Sequence, residues 1–246
     1  FDISKIKKMK NYILHKANTR GEANHGWLHS FHTFSFAGYR NDERNNFGNL
    51  RVLNDDTVAA GMGFGAHPHD NMEIISIPLS GDLAHKDSIG SQEIIKQGDI
   101  QVMSAGTGIT HSEYNANKDK EVKFLQIWIF PNKFEVEPRY DQMTFPDVRN
   151  ELVQIISPNQ DDAGLWIHQD AWFHLGKVDA GFETKYEMKN PENGLYIFII
   201  EGDVLIDGNE LNRRDAIGIT EAKSIEIKAN SNAEILLMEV PMQIKY

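Results

Sequence analysis

Two short pairs of side chains in this sequence have the residue types and the spacing to bind a metal ion. His67 and His69 flank a proline, and His111 and Glu113 flank a serine about forty residues later. Residues two apart on a β-strand point to the same face of a sheet. If each pair lies on a strand and the two strands face each other, three imidazoles and a carboxylate can meet at one ion. Such a mixed nitrogen and oxygen site suits iron, manganese, cobalt, nickel, copper or zinc.

A second carboxylate, Glu73, competes with Glu113 for this metal. Glu73 lies four residues after His69 and shares its strand face if the strand is regular. It could be a ligand in place of Glu113, or it could accept a hydrogen bond from a ligand. The residue spacing leaves both assignments open. On a six-coordinate ion, three imidazoles and one carboxylate leave two exchangeable positions for a chelating substrate and for dioxygen or water.

The elements that must position these residues are predicted to be β-strands. Short apolar runs alternate with Gly, Asn and Asp turns, and few stretches have a helical period. His67 follows the glycine-rich segment GMGFGA, and His111 follows the turn SAGTG. The clearest strands are expected at residues 50–53, 72–79, 94–95, 99–104, 123–130, 152–157, 195–201, 204–206 and 233–240. This spacing is typical of β-sandwiches and barrels.

Several weaker patterns are better explained without a cofactor or a second metal. GMGFGA resembles half of a dinucleotide fingerprint, but no helical pattern follows it, and SAGTG lacks the lysine of a P-loop. His85 and His168 are expected to be surface or core residues rather than ligands. His25, His29 and His32 lie among aromatic residues. Periodicity there indicates a core strand with a polar rim.

The length of 246 residues and a repeated pattern indicate two domains. A strand ends in Gly-Asp at residues 81–82 and again at 202–203, which suggests a duplicated unit. The polar, proline-containing segment 131–146 separates the two halves. We place an N-terminal metal-binding domain at 9–135 and a C-terminal domain without a metal site at 136–246, because the second half has no histidine after His174. Residues 1–8 are predicted to be leader or vector-derived sequence, with Met9 as the natural start.

Composition excludes several functional classes. The chain is 40% hydrophobic and 25% charged, and no apolar run approaches the roughly 20 residues of a membrane span, so we expect a soluble, cytoplasmic protein. The absence of cysteine excludes disulfides, thiolate-bound clusters and a cysteine nucleophile. The net charge of -11 disfavours direct binding to nucleic acid. These features favour an enzyme that acts on a small molecule.

A series of motifs in the first half resembles the pirin family of the cupin superfamily. In order, these are HGWLHSFHTFSF, FGNLRVLNDD, GFGAHPHDNMEII, HKDS, QGDIQVMSAGTGITHSEYN and LQIWIFP. A weaker likeness continues into the second half through IHQDAWFHLGKV. The resemblance implies an all-β bicupin, with two double-stranded β-helix (jelly-roll) barrels face to face and a metal in the N-terminal barrel.

The same resemblance implies which residues hold the metal. Carried onto this sequence, the ligands are His67, His69, His111 and Glu113. Glu73 is then not a metal ligand itself but a residue next to the ligands. Fe(II) is the expected metal, and nickel, manganese, cobalt, copper and zinc are the alternatives.

The activity implied by the resemblance is that of a quercetin 2,3-dioxygenase, which opens a flavonol ring with O2 and releases carbon monoxide. Glu113 is predicted to be the base that accepts the proton of the 3-hydroxyl group. The predicted pocket residues are Phe64, Met103, Gln126 and Trp128, since Gln126 and Trp128 share one face of the 123–130 strand. One alternative is a dioxygenase for another chelating enol or phenol. The other is a metal-sensing or redox-sensing protein that acts through a protein partner.

Overall fold

The computed structural model describes residues 9–245, and its regular structure is almost entirely β-strand. A 3-10 turn lies at Ala17–Thr19. The strands of the first half are β1 (Asn11–His15), β2 (Gly21–Asn24), β3 (Leu28–His32), β4 (Leu50–Val58), β5 (Gly63–His69), β6 (Glu73–Ser80), β7 (Leu83–Asp87), β8 (Gln92–Ile95), β9 (Asp99–Ser104), β10 (Ile109–Asn115), β11 (Val122–Ile129) and β12 (Arg139–Thr144).

Ten further strands form the second half of the chain. They are β13 (Glu151–Ser157), β14 (Leu165–Trp166), β15 (Trp172–Val178), β16 (Glu183–Glu187), β17 (Asn193–Glu201), β18 (Val204–Ile206), β19 (Asn209–Leu211), β20 (Ala216–Thr220), β21 (Ser224–Ala229) and β22 (Ala233–Pro241). In the described part of the chain, no helix is long and apolar enough to cross a membrane.

The strands form four sheets, two in each half. The first half has a seven-stranded sheet in the order β12-β9-β6-β11-β4-β3-β2 and a four-stranded sheet in the order β5-β10-β7-β8. The second half repeats this plan with the orders β1-β20-β17-β22-β15-β13-β14 and β16-β21-β18-β19. The all-β bicupin prediction is confirmed. Each predicted barrel takes the form of two facing sheets whose described strands are not joined into a closed ring by hydrogen bonds.

Four apolar clusters hold the sheets together in the described residues. The largest cluster joins the two seven-stranded sheets face to face, with residues such as Leu125 and Ile127 from one sheet and Phe198 and Met238 from the other. A second cluster fills the space between the two sheets of the second half. The first half has two smaller clusters, one of Leu28, Val58, Leu83, Ile95, Val122 and Phe124 and one of Ile74, Met103, Ala105 and Ile109. The remaining space in the first half is therefore free to hold polar side chains.

Alternation along β11 shows how one strand serves two layers. Leu125 and Ile127 pack into the cluster between the halves. Gln126 and Trp128 point the other way and line a cavity inside the first half. Because side chains alternate along a strand, the apolar run FLQIWI can seal the contact between the halves and still supply the cavity wall.

The two halves exchange strands across the predicted boundary at residues 135 and 136. β12, which follows that boundary, pairs with β9 in the first half. β1, which lies at the other end of the chain, pairs with β20 in the second half. The division into 9–135 and 136–246 stays a prediction about folding units. Residues 1–8, predicted to be a leader, lie outside the described part of the chain.

Candidate metal centre

The three predicted histidines come together on two neighbouring strands of the four-stranded sheet. β5 and β10 pair antiparallel, with His111 opposite His67 and Ile109 opposite His69. The sequence leads us to expect strands that face each other across a barrel, whereas here they are hydrogen-bonded side by side. The ring centres of the three imidazoles lie 4.5 to 4.9 Å apart.

The nitrogen atoms of these rings point at a common centre. The Nε2 atom of His111 lies 3.0 Å from Nε2 of His67 and 3.1 Å from Nε2 of His69. The Nδ1 atom of His67 lies 2.7 Å from the carbonyl oxygen of Gly65 and must donate to it, because a carbonyl can only accept. In a neutral His67 ring, Nε2 then carries no proton, and its lone pair is available to a metal.

This arrangement fits a bound cation. His111 has one proton at most on Nε2 and cannot donate to two neighbouring nitrogens, so without an ion the two contacts cannot both be normal hydrogen bonds. Two nitrogens at about 2.1 Å from a metal and at right angles to each other lie about 3 Å apart. Both observed separations, from His111 to His67 and from His111 to His69, match that geometry.

Burial keeps two of the three histidines neutral, as metal ligands must be. Desolvation, with the neighbouring His67 as the next cause, lowers the pKa of His69 to about 4. Desolvation also lowers the pKa of His111 to about 2, and the nearby His67, His69 and His85 add to this effect. Both rings are therefore uncharged lone-pair donors at neutral pH.

A β-bulge brings Phe64 to the same side of β5 as His67. The pairing of β10 with β5 shifts between His111, opposite His67, and Glu113, opposite Phe64. In a regular strand, residues three apart would point to opposite faces. The shift places an extra residue of β5 in the register, so both side chains line the cavity. Bulges of this kind often lie next to functional sites, where they redirect a side chain.

The Glu113 side chain is buried next to His111. Its carboxylate accepts a hydrogen bond of 3.2 Å from the hydroxyl of Ser76 and one of 2.9 Å from the side-chain amide of Gln126. Burial raises the pKa of Glu113 to about 7, partly countered by Ser76 and reinforced by Asp56. Its ligand atom groups with those of His111 and His85, all within 4.8 Å of one another.

Glu73, the competing carboxylate, lies on a different strand from His69. β5 ends at His69, and β6 begins at Glu73 in the seven-stranded sheet. The turn between them has Asn71 at a φ of 44°, so the regular strand required for a shared face does not exist. Glu73 accepts a 2.8 Å hydrogen bond from Ser104, and burial raises its pKa to about 7.

A cavity of about 230 Å³ opens beside His67. Three of the four predicted pocket residues, Phe64, Gln126 and Trp128, line it. The Trp128 ring also makes an edge contact with His69, with ring centres 5.0 Å apart. Met103 instead lies in a buried apolar cluster with Ile74. The reason is strand pairing, since Met103 on β9 lies opposite Ile74 on β6, and β9 is two strands away from β11, the nearest strand of this sheet that lines the cavity.

His85 is a buried core residue beside the metal centre. Its Nε2 atom lies 2.7 Å from a carboxylate oxygen of Asp87, and both side chains are fully buried. The ring stacks on Tyr140 at 4.5 Å and lies 5.4 Å from the ring of His111. The Nδ1 atoms of His85 and His111 are both buried without a hydrogen-bond partner.

The histidines set aside in the sequence are found in three different environments. His32 is buried and lines the cavity, together with the exposed His25. His29 lies at the surface and pairs with Glu22 at 2.7 Å. His168 packs edge-on against Trp166, with ring centres 4.9 Å apart.

Sequence reasoning missed most of the polar lining of the cavity. Ser30, Asn54 and Asp56 line it with His32, and all four are buried. The signal was present, since residues 30 and 32 and residues 54 and 56 are i, i+2 pairs like those of the metal ligands. A polar residue on a strand is usually solvent-exposed, and only the pairing of β3 with β4 turns these four inward.

The corresponding interior of the second half has no comparable group in the described residues. It is filled by apolar side chains such as Leu195, Ile197 and Ile235. His174 is buried there against Tyr186, with ring centres 5.2 Å apart. Glu239 accepts hydrogen bonds from Tyr186, from Asn193 and from two backbone amides. The Glu239 carboxylate is therefore fully engaged in hydrogen bonds within the second half.

Family profiles match both halves of the chain. Residues 14–129 match the profile described as Pirin, and residues 154–240 match that of the quercetinase C-terminal cupin domain. The chain is similar to a quercetin 2,3-dioxygenase of Escherichia coli, with 41% identity over 93% of this chain and 98% of that protein. It is also similar to a pirin-like protein of Caulobacter vibrioides, with 40% identity over 89% of this chain and 95% of that protein.

A solved structure extends the likeness to three dimensions. The bacterial pirin YhhW from Escherichia coli, in complex with nickel(II), superposes with a TM-score of 0.90 at 39% identity, over 95% of this chain and all of that one. The two sandwiches, the histidine cluster and this similarity along nearly the whole length agree with one another. The chain belongs to the pirin family.

Proposed function

We propose that this protein is a metal-dependent dioxygenase of the pirin type that opens the ring of a flavonol with O2 and releases carbon monoxide. The observation that carries the proposal is the convergence of three imidazoles beside an aromatic-lined cavity, with Nε2 of His111 3.0 Å from Nε2 of His67 and 3.1 Å from Nε2 of His69. Relatives at 41% and 39% identity are named quercetin 2,3-dioxygenase or putative quercetin 2,3-dioxygenase, which supports the reaction class.

The proposed ligands of a single divalent metal are His67, His69, His111 and Glu113. The three imidazoles already converge, and the Glu113 carboxylate lies within 4.8 Å of a His111 ligand atom. A bound divalent metal would act as a Lewis acid that lowers the pKa of a hydroxyl group on the substrate. The nickel(II) complex of the related pirin supports a divalent first-row ion, and we propose Fe(II) as the physiological one.

Glu113 is the proposed base. Ser76 and Gln126 hold its carboxylate in place, and a pKa near 7 suits a group that must take up a proton near neutral pH. It would accept the proton of the flavonol 3-hydroxyl group. Gln126 then has a positioning role, because it donates to the carboxylate without exchanging a proton.

The cavity matches a flat aromatic substrate. Leu28, Phe36, Phe64 and Trp128 supply apolar walls, which exclude water and contact aromatic rings. The Phe36 and Trp128 rings meet edge to face at 5.5 Å, which fixes their orientation. A small substrate is therefore favoured over a macromolecule. A cytoplasmic location and a possible protein partner stay predictions.

The test is oxygen consumption by the purified protein after removal and replacement of metal. Apoprotein reloaded in turn with Fe(II), Ni(II), Mn(II), Co(II), Cu(II) or Zn(II) is mixed with a flavonol, and uptake of O2 and release of carbon monoxide are followed. At least one loaded form should consume O2 and release carbon monoxide in equal amounts, whereas the apoprotein should not. Oxygen uptake only with other enols or phenols would favour the alternative substrate class.

A further inference from the structure

One wall of the cavity is polar, although it lies in the interior of a sandwich. Ser30 and His32 on β3 lie opposite Asp56 and Asn54 on β4. All four side chains line the cavity, and each residue is at most 4% exposed. We call these four residues the polar wall.

Two atoms of the polar wall have no hydrogen-bond partner. Asn54 Oδ1 and His32 Nδ1 are buried and unpaired, whereas Asp56 accepts a hydrogen bond from the Ser30 hydroxyl. Buried polar atoms in folded proteins are nearly always paired, since an unpaired one costs free energy. Both side chains line the cavity, so a half-turn of the Asn54 amide or of the His32 ring presents the unpaired atom to a molecule bound there.

The polar wall is continuous with the proposed base. Gln126 on β11 lies opposite Asn54 on β4, which lies opposite His32 on β3. Gln126 donates to the Glu113 carboxylate at 2.9 Å. Because neighbouring strands are about 4.8 Å apart, the row from Gln126 to His32 is roughly 10 Å long. A ligand with one end at Glu113 can therefore reach the polar wall with the other, if it is about as long as two linked aromatic rings.

The chemistry of the lining narrows the kind of ligand. Phe36, Phe64 and Trp128 favour a planar aromatic body. Asn54 Oδ1 and the Asp56 carboxyl group are acceptors, so the ligand must bring hydrogen-bond donors to this end. Hydroxyl groups on an aromatic ring meet both requirements.

We propose that the polar wall is a subsite for the hydroxyl groups of the substrate ring remote from Glu113, and that it selects polyhydroxylated flavonols over those without ring hydroxyls. This inference deepens the proposed function and rests on it. A substrate that lacks these hydroxyls would leave Asn54 and His32 without a partner from the ligand. Sites built to pair a substrate hydroxyl discriminate strongly against analogues that lack it.

The test measures binding without turnover. Ni(II)-loaded protein is titrated under nitrogen with quercetin and with 3-hydroxyflavone, which shares the chelating edge but has no other hydroxyl group. Wild-type protein should bind quercetin more tightly by tenfold or more. Asn54→Leu, which has a similar shape but no hydrogen-bonding atoms, should reduce that ratio by about tenfold. His32→Phe is a second, independent variant with the same expected direction.

Thr57→Val is the matched control. Thr57 neighbours Asp56 on β4 but alternates to the other face of the strand, so its hydroxyl is outside the cavity lining. The control should keep the wild-type ratio. A wild-type protein without preference, or Asn54→Leu and His32→Phe variants that both keep it, would overturn the subsite.

Oxygen uptake measured in parallel separates this inference from the proposed function. Uptake of O2 without a binding preference means that the function holds and the subsite is wrong. A preference that is lost in the variants, without O2 uptake by any metal form, means that the subsite holds and the enzymatic proposal fails. Absence of binding of either flavonol overturns both.

Discussion

Glu113 has two proposed roles, as a metal ligand and as a base, and a conservative substitution separates them. Its carboxylate is fixed by Ser76 and Gln126 in a fully enclosed position. Glu113→Gln keeps the size and an oxygen ligand but cannot accept a proton. We expect O2 uptake with a flavonol to fall about 10²- to 10⁴-fold, the usual contribution of a positioned base. Metal content, measured by mass spectrometry, should fall much less.

The exposed Glu22 provides a control of the same chemistry, since Glu22→Gln changes a carboxylate that pairs only with His29 among the contacts described. This variant should retain wild-type turnover. Full flavonol cleavage by Glu113→Gln would rule out Glu113 as the base.

The Nδ1 atoms of His85 and His111, which have no hydrogen-bond partner, lead us to predict that a substitution of His85 changes the metal affinity. Asp87 accepts the proton on His85 Nε2, so His85 Nδ1 is an acceptor. When Nε2 of His111 binds a metal, its Nδ1 carries a proton and needs an acceptor, and we predict that His85, whose ligand atom lies within 4.8 Å of that of His111, takes this role. His85→Phe keeps the stacking on Tyr140 but removes this acceptor. We expect the Ni(II) affinity to weaken about 10- to 100-fold, measured by isothermal titration calorimetry.

His174→Phe is the control for this prediction, because His174 is also buried but lies in the second half of the chain. It should bind Ni(II) with wild-type affinity. Equal affinity of the His85→Phe and wild-type proteins would show that His85 only fills space.

At the scale of elements, the pairing of β5 with β10 holds the metal centre together. Gly63 and Gly65 both lie on β5, but their surroundings differ. A Cβ atom on Gly63 would overlap the backbone oxygen of Glu113 and the Cα of Tyr114. A Cβ atom on Gly65 would meet its nearest neighbour, the Tyr114 hydroxyl, at 3.9 Å.

We therefore expect Gly63→Ala to separate β5 from β10, lower the free energy of unfolding by about 1 to 3 kcal/mol and weaken Ni(II) binding. Thermal unfolding and calorimetry of the apoprotein and loaded protein measure both effects. Gly65→Ala is the control and should behave like the wild type. Equal melting temperatures of the two variants would contradict this account of the strand pairing.

The sequence predicts the elements of the site better than their arrangement. The predicted strands 99–104 and 204–206 have the observed first and last residues. The ends of the other predicted strands lie within a few residues of the observed ends. The exception is β4, which is predicted to end at residue 53 but continues to Val58. This extension adds Asn54 and Asp56 to the strand. The alternation that puts Gln126 and Trp128 on one face is also confirmed. The bulge in β5 and the inward turn of the polar wall depend on pairing with distant strands, which local pattern does not specify.

At the scale of the whole molecule, His15 links the two halves and is predicted to make their stability depend on pH. His15 ends β1, contacts the ring of Phe34 in the first half and lies 2.7 Å from the hydroxyl of Tyr196 in the second. Burial, with a smaller effect of Arg44, lowers the pKa of His15 to about 4. The unfolded value is about 6.5.

Because the folded pKa is the lower one, the unfolded chain takes up the proton first as the pH falls. His15 therefore has no effect above about pH 6.5 and costs stability progressively between pH 6.5 and 4. In His15→Gln, urea unfolding should show a smaller loss of stability across this window than in the wild type. His25→Gln, at an exposed position, should not change the loss. An unchanged slope in His15→Gln would contradict the assignment.

The overall architecture was accessible from the sequence because the Gly-Asp repeat and the pirin-like motifs indicate a duplicated β-fold. The crossing of β1 into the second half and of β12 into the first could not be anticipated from them. Both strands are short and moderately polar. The packing of the two halves against each other determines which strands they pair with. The expectation that the second half holds no metal rests on the absence of histidine after His174 and stays a prediction.

The most direct test of the central claim is the ratio of carbon monoxide released to O2 consumed when the metal-loaded protein is mixed with quercetin. We predict a ratio of one for at least one of the ions Fe(II), Ni(II), Mn(II), Co(II) and Cu(II), and no reaction in the apoprotein or in a His67→Ala variant. A protein that binds these ions at the histidine cluster but consumes no O2 with any flavonol would contradict the dioxygenase assignment.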